Sequence, residues 1–530
     1  MRKNILFIIT DQQRYNSLGC YGGRIARTPV ADRLAREGLI YRRFYAANTL
    51  CQPARSTVLI GQHPRTHGVF SNGIALPYDI DNVATLLAGA GYRTGLIGKA
   101  HFDPGMDPER KFKEHQMPAA GETGPYRGFE HVEFAWHAAR GLPGQLLGHY
   151  GEWLARHHPE HLDSYASVLM SRPGGETGAP ETHINPIPRE WYHTDWVADR
   201  VISWLDTLAD DDTWFLWMGF PDPHHPWDPP ASERHRISWR DLELPEAWLE
   251  GEEAERVLGA KPAHWLAYYQ GRWINAEGAP WTFRPSMLDA DKVREINAMV
   301  HIMNELIDEA CGRVLAEIER RGWKDRTDVF FTTDHGELQG DYGFVFKGPF
   351  PVDALMRLPL IWRPAPAAQI EPAEIVEPVS QVDLAATFCS IAEIPVPEWM
   401  QGEPLPTAPG TQRRERAICT WDSHLSGYGM HYATIYRDGW LCTAYEPSTK
   451  GQPTGVETFL STYGLGDGPQ SSITYEGTEG ELYNVEEDPR QFVNLWDDPG
   501  YRGTRDDLVA DLRDHLPPRK SPALPVVSLT

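Results

Sequence analysis

Unbroken apolar runs, each too short for a helix, alternate along the chain with segments of helical period. Asn4 to Thr10 holds Ile5-Leu6-Phe7-Ile8-Ile9 without a polar break, the pattern of a strand covered on both faces. Tyr41 to Ala46, Thr94 to Ile97, Trp214 to Phe220, Val329 to Thr333 and Leu358 to Trp362 repeat the theme. Between them lie the predicted helices. Thr28-Pro29 opens one with Val30, Leu34 and Leu39 as its stripe, and Pro53 to Gly61 and Asn82 to Ala90 form two more. Asp195 to Leu208 and Val382 to Ile391 follow, and Asp289 to Arg321 is the longest, with Val293, Ile296, Val300, Met303, Ile307, Ala310, Val314 and Ile318 in register. Strands that alternate with helices predict an α/β fold built on a large, doubly wound, mainly parallel sheet.

The pattern changes twice. From Phe102 to about Glu190 the chain is rich in Gly, Pro and His, which reads as long loops with short helices. A second insertion, about 225–288, is aromatic. Eight of the 19 tryptophans lie between Trp214 and Trp281, and packing is favoured over a substrate-lining wall for them. The Pro/Gly-rich stretch Pro404 to Gly410 reads as a linker, placed at 404–416 between a catalytic unit (1–403) and a smaller C-terminal one (417–530). In that unit, Ala417 to Trp421, Tyr432 to Tyr436 and Gly439 to Thr443 predict an antiparallel sheet.

With 41% hydrophobic and 23% charged residues, the 530-residue chain reads as an ordinary globular protein with a large core. A formal net charge of −24 argues against nucleic acid and an anionic membrane surface as partners. Asp11 interrupts the first apolar run too early for a signal peptide, no run is long enough to span a bilayer, and a cytoplasmic location is expected. The six cysteines are sparse and show no paired spacing, so no disulfide framework is expected. The aromatic insertion and the tail Pro517 to Thr530 are candidate assembly surfaces, and a homo-oligomer is expected.

Chemistry concentrates at the strand ends. Asp11 and Asp334 each stand just past a buried strand, and adjacent parallel strands would bring them together. Two carboxylates converging in a cleft need a cation or a proton between them. Gln12 offers an oxygen and His335 a nitrogen, so the four make a divalent metal site. Cys51-Gln52-Pro53-Ala54-Arg55 places Cys51 just ahead of a helix N-terminus, where free N–H groups favour an anion, with Arg55 as a nearby cation. Taken alone, Cys51 is equally a structural thiol, a redox cysteine or a nucleophile.

Cys-x-Pro-x-Arg also resembles the maturation signature of the type I sulfatases of the alkaline phosphatase superfamily. Asp11-Gln12, Gly98-Lys99-Ala100-His101, Pro223-His224-His225-Pro226-Trp227, Asp334-His335-Gly336-Glu337 and Phe346-Lys347-Gly348 match further motifs of that family in its order. Asn72 fits a pocket position of the related phosphonate monoester hydrolases. The stretch from Glu481 to Pro489, with Asn494-Leu495 after it, resembles the closing segment of the type I sulfatases, which implies a last strand joined to a C-terminal helix, here about Arg505 to His515. Asp341-Tyr342-Gly343 departs from the family's histidine-bearing loop. The resemblance implies an alkaline phosphatase-like fold. It also implies that a formylglycine-generating enzyme oxidises Cys51 to formylglycine, whose hydrate attacks a small anionic ester. One divalent metal is implied on Asp11, Gln12, Asp334, His335 and residue 51. An imidazole among oxygens suits Mn²⁺ or Zn²⁺ better than Ca²⁺, though Ca²⁺ is common in the family. Arg55, Lys99, His101, His224 and Lys347 would stabilise charge and move a proton. The implied activity is hydrolysis of sulfate monoesters. The alternatives are a phosphonate monoester hydrolase or phosphodiesterase of the same family, and a silent anion-binding protein in which Cys51 stays a thiol.

Overall fold

A computed structural model describes residues 2–107, 109–141, 145–165, 173–275, 277–411, 414–423, 429–448 and 473–528. Small parts of the two expected insertions (108, 142–144, 166–172 and 276), of the linker (412–413) and of the tail (529–530) lie outside the described residues.

The large sheet is mixed and mainly parallel, as the alternation predicts. Its strands in chain order are β1 (Asn4–Thr10), β2 (Leu39–Tyr45), β3 (Arg93–Gly98) and β4 (His131–Phe134). A separate two-stranded ribbon, β5 (Pro173–Gly174) and β6 (Ala179–Pro180), comes next in the chain. The sheet continues with β7 (Trp214–Gly219), β8 (Thr327–Thr333), β9 (Arg357–Arg363), β10 (Ala373–Ile375) and β11 (Val379–Ser380). The spatial order is β10-β2-β9-β8-β1-β7-β3-β4, with β11 also paired to β2. Only β9 runs against its neighbours β2 and β8. β1 lies in the middle, parallel to β7 and β8, with Thr10 opposite Thr333 and Ile9 opposite Gly219.

β1 shows why an unbroken apolar run was needed. Ile5, Phe7 and Ile9 enter the core on one face, Leu6 and Ile8 the core on the other. The first face is covered by α2 (Cys51–Ile60), α4 (Val83–Gly89) and α12 (Val382–Ile391). The other is covered by α1 (Pro29–Glu37), α7 (His193–Leu205) and α10 (Ala290–Arg320). Shorter helices complete the set: α3 (Pro64–His67), α5 (Lys113–Ala120), α6 (Gly148–His157), α8 (Gly251–Gly259), α9 (Ala263–Tyr269) and α11 (Asp353–Met356). Among the described residues, no helix is long and apolar enough to cross a membrane.

Three expectations need correction. Leu39 is not on the first helix: Gly38 ends α1, and Leu39 begins β2. Cys51 is not ahead of the second helix but is its first residue, with Leu50 as an N-cap that makes no side-chain bond. The stretch from 102 to 190 is not only loops and short helices. It supplies the edge strand β4, which continues the sheet from β3 with Gly95 opposite His131. Four residues between glycine- and proline-rich flanks are too few to show a period.

The C-terminal residues form the antiparallel sheet β12 (Arg416–Asp422), β13 (His431–Arg437), β14 (Trp440–Glu446) and β15 (Gly480–Asn484). Leu508 and Leu512 of α13 (Arg502–His515) cover Ile418, Ile435, Cys442 and Leu482 on it. Trp421, Tyr432 and Tyr445 belong instead to the core of the large sheet. The tail returns to its own chain: the Lys520 N–H donates to Arg65 O (2.6 Å), Val527 N–H to Gly73 O (2.9 Å) and Ser528 Oγ to Met106 O (2.9 Å).

Buried Lys261 ties the two sheets together. Its Nζ donates to Tyr483 Oη (2.5 Å) and Gln491 O (2.7 Å) and lies 4.6 Å from the centre of the Trp265 ring. Burial lowers its pKa to about 8, against the opposing pull of Glu481. Lys261→Met is expected to cost about 1–3 kcal/mol in denaturant unfolding at pH 7. Because the folded amine releases its proton earlier than the unfolded one, the wild type gains stability as pH rises past about 8. The variant lacks this gain, so the deficit grows towards pH 10.

Candidate active site

Four parallel strands, β3, β7, β1 and β8, end level with one another, and function collects just beyond such ends. Asp11 follows β1 and Asp334 follows β8; the Asp334 N–H still donates to Thr10 O (3.3 Å), continuing the strand pairing. Lys99 and His101 follow β3. His224 and His225 lie beyond β7, and Lys347 on the loop after Glu337. Cys51 faces them from the first turn of α2, fully buried, with its Sγ 3.0 Å from His335 Nε2 and 3.5 Å from Asp11 Oδ1.

The two aspartates divide their oxygens between two tasks. Arg55 lies beneath the cavity with no exposed surface, and its Nη2 reaches Asp11 Oδ2 (3.1 Å) and its Nε Asp334 Oδ2 (2.8 Å). Lys99 Nζ also takes Asp11 Oδ2 at 2.5 Å. The Oδ1 atoms face the other way, 4.0 and 3.7 Å from His335 Nε2. Burial opposes ionisation of Asp11, yet Lys99 and Arg55 together hold its carboxyl well below the usual range. Burial, followed by Asp11, pushes the Cys51 thiol up to about 12. Burial lowers His335 to about 4, so its imidazole is neutral. Its Nδ1 is fixed 2.9 Å from Gly336 O, which presents Nε2 to the cluster.

Ligand atoms of Asp11, Cys51, Asp334 and His335 lie within 4.8 Å of one another, all buried. Oxygens plus one neutral imidazole, converging on a point with cations held on the far side, fit a divalent ion. The Gln12 side chain is bonded on both sides: its amide nitrogen donates to Glu337, and its Oε1 accepts from Lys347 Nζ at 2.5 Å.

The opposite wall carries lysines and imidazoles. Lys347 Nζ is 2.9 Å from His224 Nε2, and the His224 ring is stacked between His137 (3.9 Å) and His225 (4.0 Å). His137 Nε2 is 3.3 Å from Lys99 Nζ. Burial, then the neighbouring histidines and lysines, keep His224 well below its ordinary value. His101 meets Trp136 edge-on, and neither of its ring nitrogens has a hydrogen-bond partner among the described residues. Cys51, Asn72, Lys99, His101, His224 and Lys347 open onto one cavity of about 130 Å³. Asn72 Oδ1 accepts the Gln52 N–H (3.1 Å).

Several residues in this constellation carried no sequence signal. His137 and Trp136 follow the unrecognised β4. Glu337 accepts from Gln12 and from the Gln339 N–H (3.1 Å), and burial raises its carboxyl to about 7. Glu114 accepts the backbone N–H groups of His101 (3.1 Å), Phe102 (2.7 Å) and Asp103 (3.1 Å). His225, next to His224 in the motif, is buried on the cavity wall, 3.4 Å from the Gln12 amide. In the departing loop, Asp341 pairs with Arg14 (2.7 Å) and Tyr342 Oη donates to Arg490 O (2.8 Å).

A large mainly parallel sheet with the first turn of α2 over two strand-end aspartates is the arrangement of the alkaline phosphatase superfamily. Residues 3–394 match the family described as Sulfatase, and the chain belongs to that family. It is 27% identical over 403 residues to the uncharacterized sulfatase YidJ of Escherichia coli (strain K12), covering 76% of this chain and 70% of that one. It is 26% identical to the multifunctional alkaline phosphatase superfamily protein PehA of Trinickia caryophylli, over 94% and 92% of the two chains. The crystal structure of the phosphonate monoester hydrolase of Agrobacterium radiobacter superposes with a TM-score of 0.74 at 22% identity, over 97% and 95% of the chains. Family membership supports a hydrolase.

Glu114 is a positioning residue for His101, whose backbone φ of +57° is held by those accepted N–H bonds. Glu114→Gln removes one of the two charged acceptors. It is expected to lower the hydrolase turnover about 10- to 100-fold, because a displacement of about 1 Å within a site costs rates of that order.

Proposed function

We propose that the protein hydrolyses sulfate monoesters through residue 51. The observation that carries this is the position of Cys51, between the Asp11–Asp334–His335 cluster and the Lys99–Lys347–His224 wall. With its pKa near 12, the thiol is protonated at neutral pH and is a poor nucleophile. That supports oxidation of Cys51 to formylglycine by a formylglycine-generating enzyme, which supplies a hydrate hydroxyl for attack; the sulfur marks where the hydrate oxygens stand. A divalent ion, Mn²⁺, Ca²⁺ or Zn²⁺, held by Asp11, Asp334 and His335, supplies positive charge against the ester oxygens when bound.

The chain's own residues do the rest. Arg55 pairs with both aspartates from beneath. Lys99 and Lys347 face the transferred group and stabilise its oxygens. Asn72 fixes the first turn of α2 through the Gln52 N–H. His101 or His224, both on the wall, gives the proton to the leaving oxygen. The six unpaired cysteines support a cytoplasmic location. Singly charged phosphodiesters and phosphonate monoesters are second substrates of the same pocket, a reading that the likeness to PehA and to the Agrobacterium hydrolase favours.

Two outcomes test this. Peptide mass spectrometry of protein made with a formylglycine-generating enzyme is expected to show an aldehyde at position 51, and Cys51→Ala to abolish turnover while sparing the fold. Full activity with only a thiol there would refute the mechanism. In steady-state assays, sulfate monoesters are expected to exceed phosphodiesters and phosphonate monoesters, and these to exceed phosphate monoesters. A phosphate monoester carries nearly two charges, so the same cations stabilise its ground state and its loose transition state alike. A phosphate monoester with the highest kcat/KM would overturn the assignment.

A further inference from the structure

The cavity above residue 51 has cations at its floor and two different sides at its rim. One side is the loop of Glu277, which is fastened to the catalytic loop. Asn275 Nδ2 donates to Lys347 O (2.6 Å), and a Cβ on residue 278 would stand 2.4 Å from that oxygen, so only glycine lets the two loops lie this close. The other side is the segment after β4, where Trp136, Gly141, Gln145 and Leu147 line the space. There the chain turns back on itself: the Leu147 N–H donates to Ala139 O (2.9 Å) and the Gly141 N–H to Gln145 O (3.1 Å). Gln145 sits on the returning arm, and its side chain is buried.

The Gln145 amide has a fixed orientation. Its nitrogen lies 3.4 Å from His115 Nδ1, and His115 Nε2 lies 3.0 Å from Pro104 O. A carbonyl oxygen only accepts, so His115 Nε2 carries the proton. Burial lowers the pKa of His115, so the ring is neutral and its Nδ1 presents a lone pair. Only the NH₂ end of the amide can face that lone pair. The other end, Oε1, is buried and has no hydrogen-bond partner among the described residues. A Cβ on residue 141 would come 3.0 Å from this oxygen, and glycine there leaves the approach to it open. A buried acceptor without a donor is destabilising, and a ligand that brings the donor removes the penalty.

We propose that Gln145 is a specificity-determining residue: its Oε1 accepts a hydrogen bond from a hydroxyl that the leaving alcohol carries beyond its ester oxygen. The proposal rests on the ester hydrolysis proposed above and names the residue that selects the alcohol. A hydroxyl suits this wall because it can both give a proton and accept one. Trp136, on the same wall, has a buried indole N–H with no hydrogen-bond partner among the described residues, so the wall offers a donor as well as an acceptor. An ester of the same shape that ends in a methyl group leaves both unmet.

Binding to the full chain carrying Cys51→Ala, measured by calorimetry, tests this without turnover. The probes are ω-hydroxyalkyl sulfates with chains of two to six carbons and their isosteres in which a methyl group replaces the hydroxyl, with the methylphosphonate monoesters of the same alcohols. At the chain length that reaches Oε1, the hydroxyl member of the pair is expected to bind at least about fivefold more tightly. Adding Gln145→Leu, which replaces the acceptor by an apolar group, is expected to remove or reverse that preference. His115→Phe keeps a ring stacked on Trp136 and deletes the lone pair that orients the amide. It is expected to bring the ratio within about twofold. No preference for the hydroxyl at any chain length, a ratio unmoved by Gln145→Leu or by His115→Phe, or an equal loss for both members, as a merely structural role would give, would each overturn the proposal. If only the phosphonate esters bind, the sulfate assignment fails, and the ratio within those pairs still decides the role of Gln145. If no probe binds, both fail.

Discussion

One guanidinium makes this site possible. Asp11 and Asp334 are forced together because β1 and β8 are parallel neighbours that end in register. Two fully buried carboxylates so placed would repel each other and shift towards protonation. Arg55 takes one oxygen of each from below, which leaves the other oxygen of each pointing at His335 and residue 51. A buried ion pair is weak evidence for stability, because desolvation offsets much of the attraction. Here it orients rather than stabilises. Arg55 stands four residues after Cys51, one turn along the same face of α2. The contact that neutralises the aspartates therefore also fixes where residue 51 points.

The floor of the site was legible in the sequence because strand ends can be read. An apolar run that stops at an acidic residue needs no partner to be recognised, so Asp11 and Asp334 stood out, and periodicity placed α10 and α12 almost to the residue. The start of α2 was misjudged because Leu50 has no capping side chain, and Pro53 offered the only visible signal. Trp136 and His137 stayed hidden behind a strand of four residues. Glu114, Glu337 and Gly278 act on backbone groups or through a missing side chain, and such roles follow from folded distances, not from residue type. The tryptophans between Trp214 and Trp281 divide: Trp214, Trp217, Trp227 and Trp265 are fully buried packing, whereas Trp281 reaches the cavity.

The floor and the rim of the cavity have different origins. The floor is assembled at the ends of central strands, and a shift there would disturb the sheet itself. The rim comes from the segment after β4 and from the loop that holds Glu277, which are connections rather than core. A scaffold built in this way can keep one reaction at its centre while the loops decide which alcohol fits. The tail adds a third layer, since Ser528 holds the carbonyl of Met106 on the cavity wall.

The burial of Cys51 has a consequence in time. Its side chain is buried at the floor of the cavity, and its backbone is already the first residue of a helix packed on the sheet. Any modifying enzyme that grips the chain around Cys51 needs that segment extended and exposed. Chemistry at this cysteine therefore belongs to the nascent or unfolded chain, and a molecule that folds first is locked out of it. On the proposed oxidation of Cys51, a preparation would then hold two populations with the same shape, one mature and one inert, in proportions set by the race between folding and oxidation.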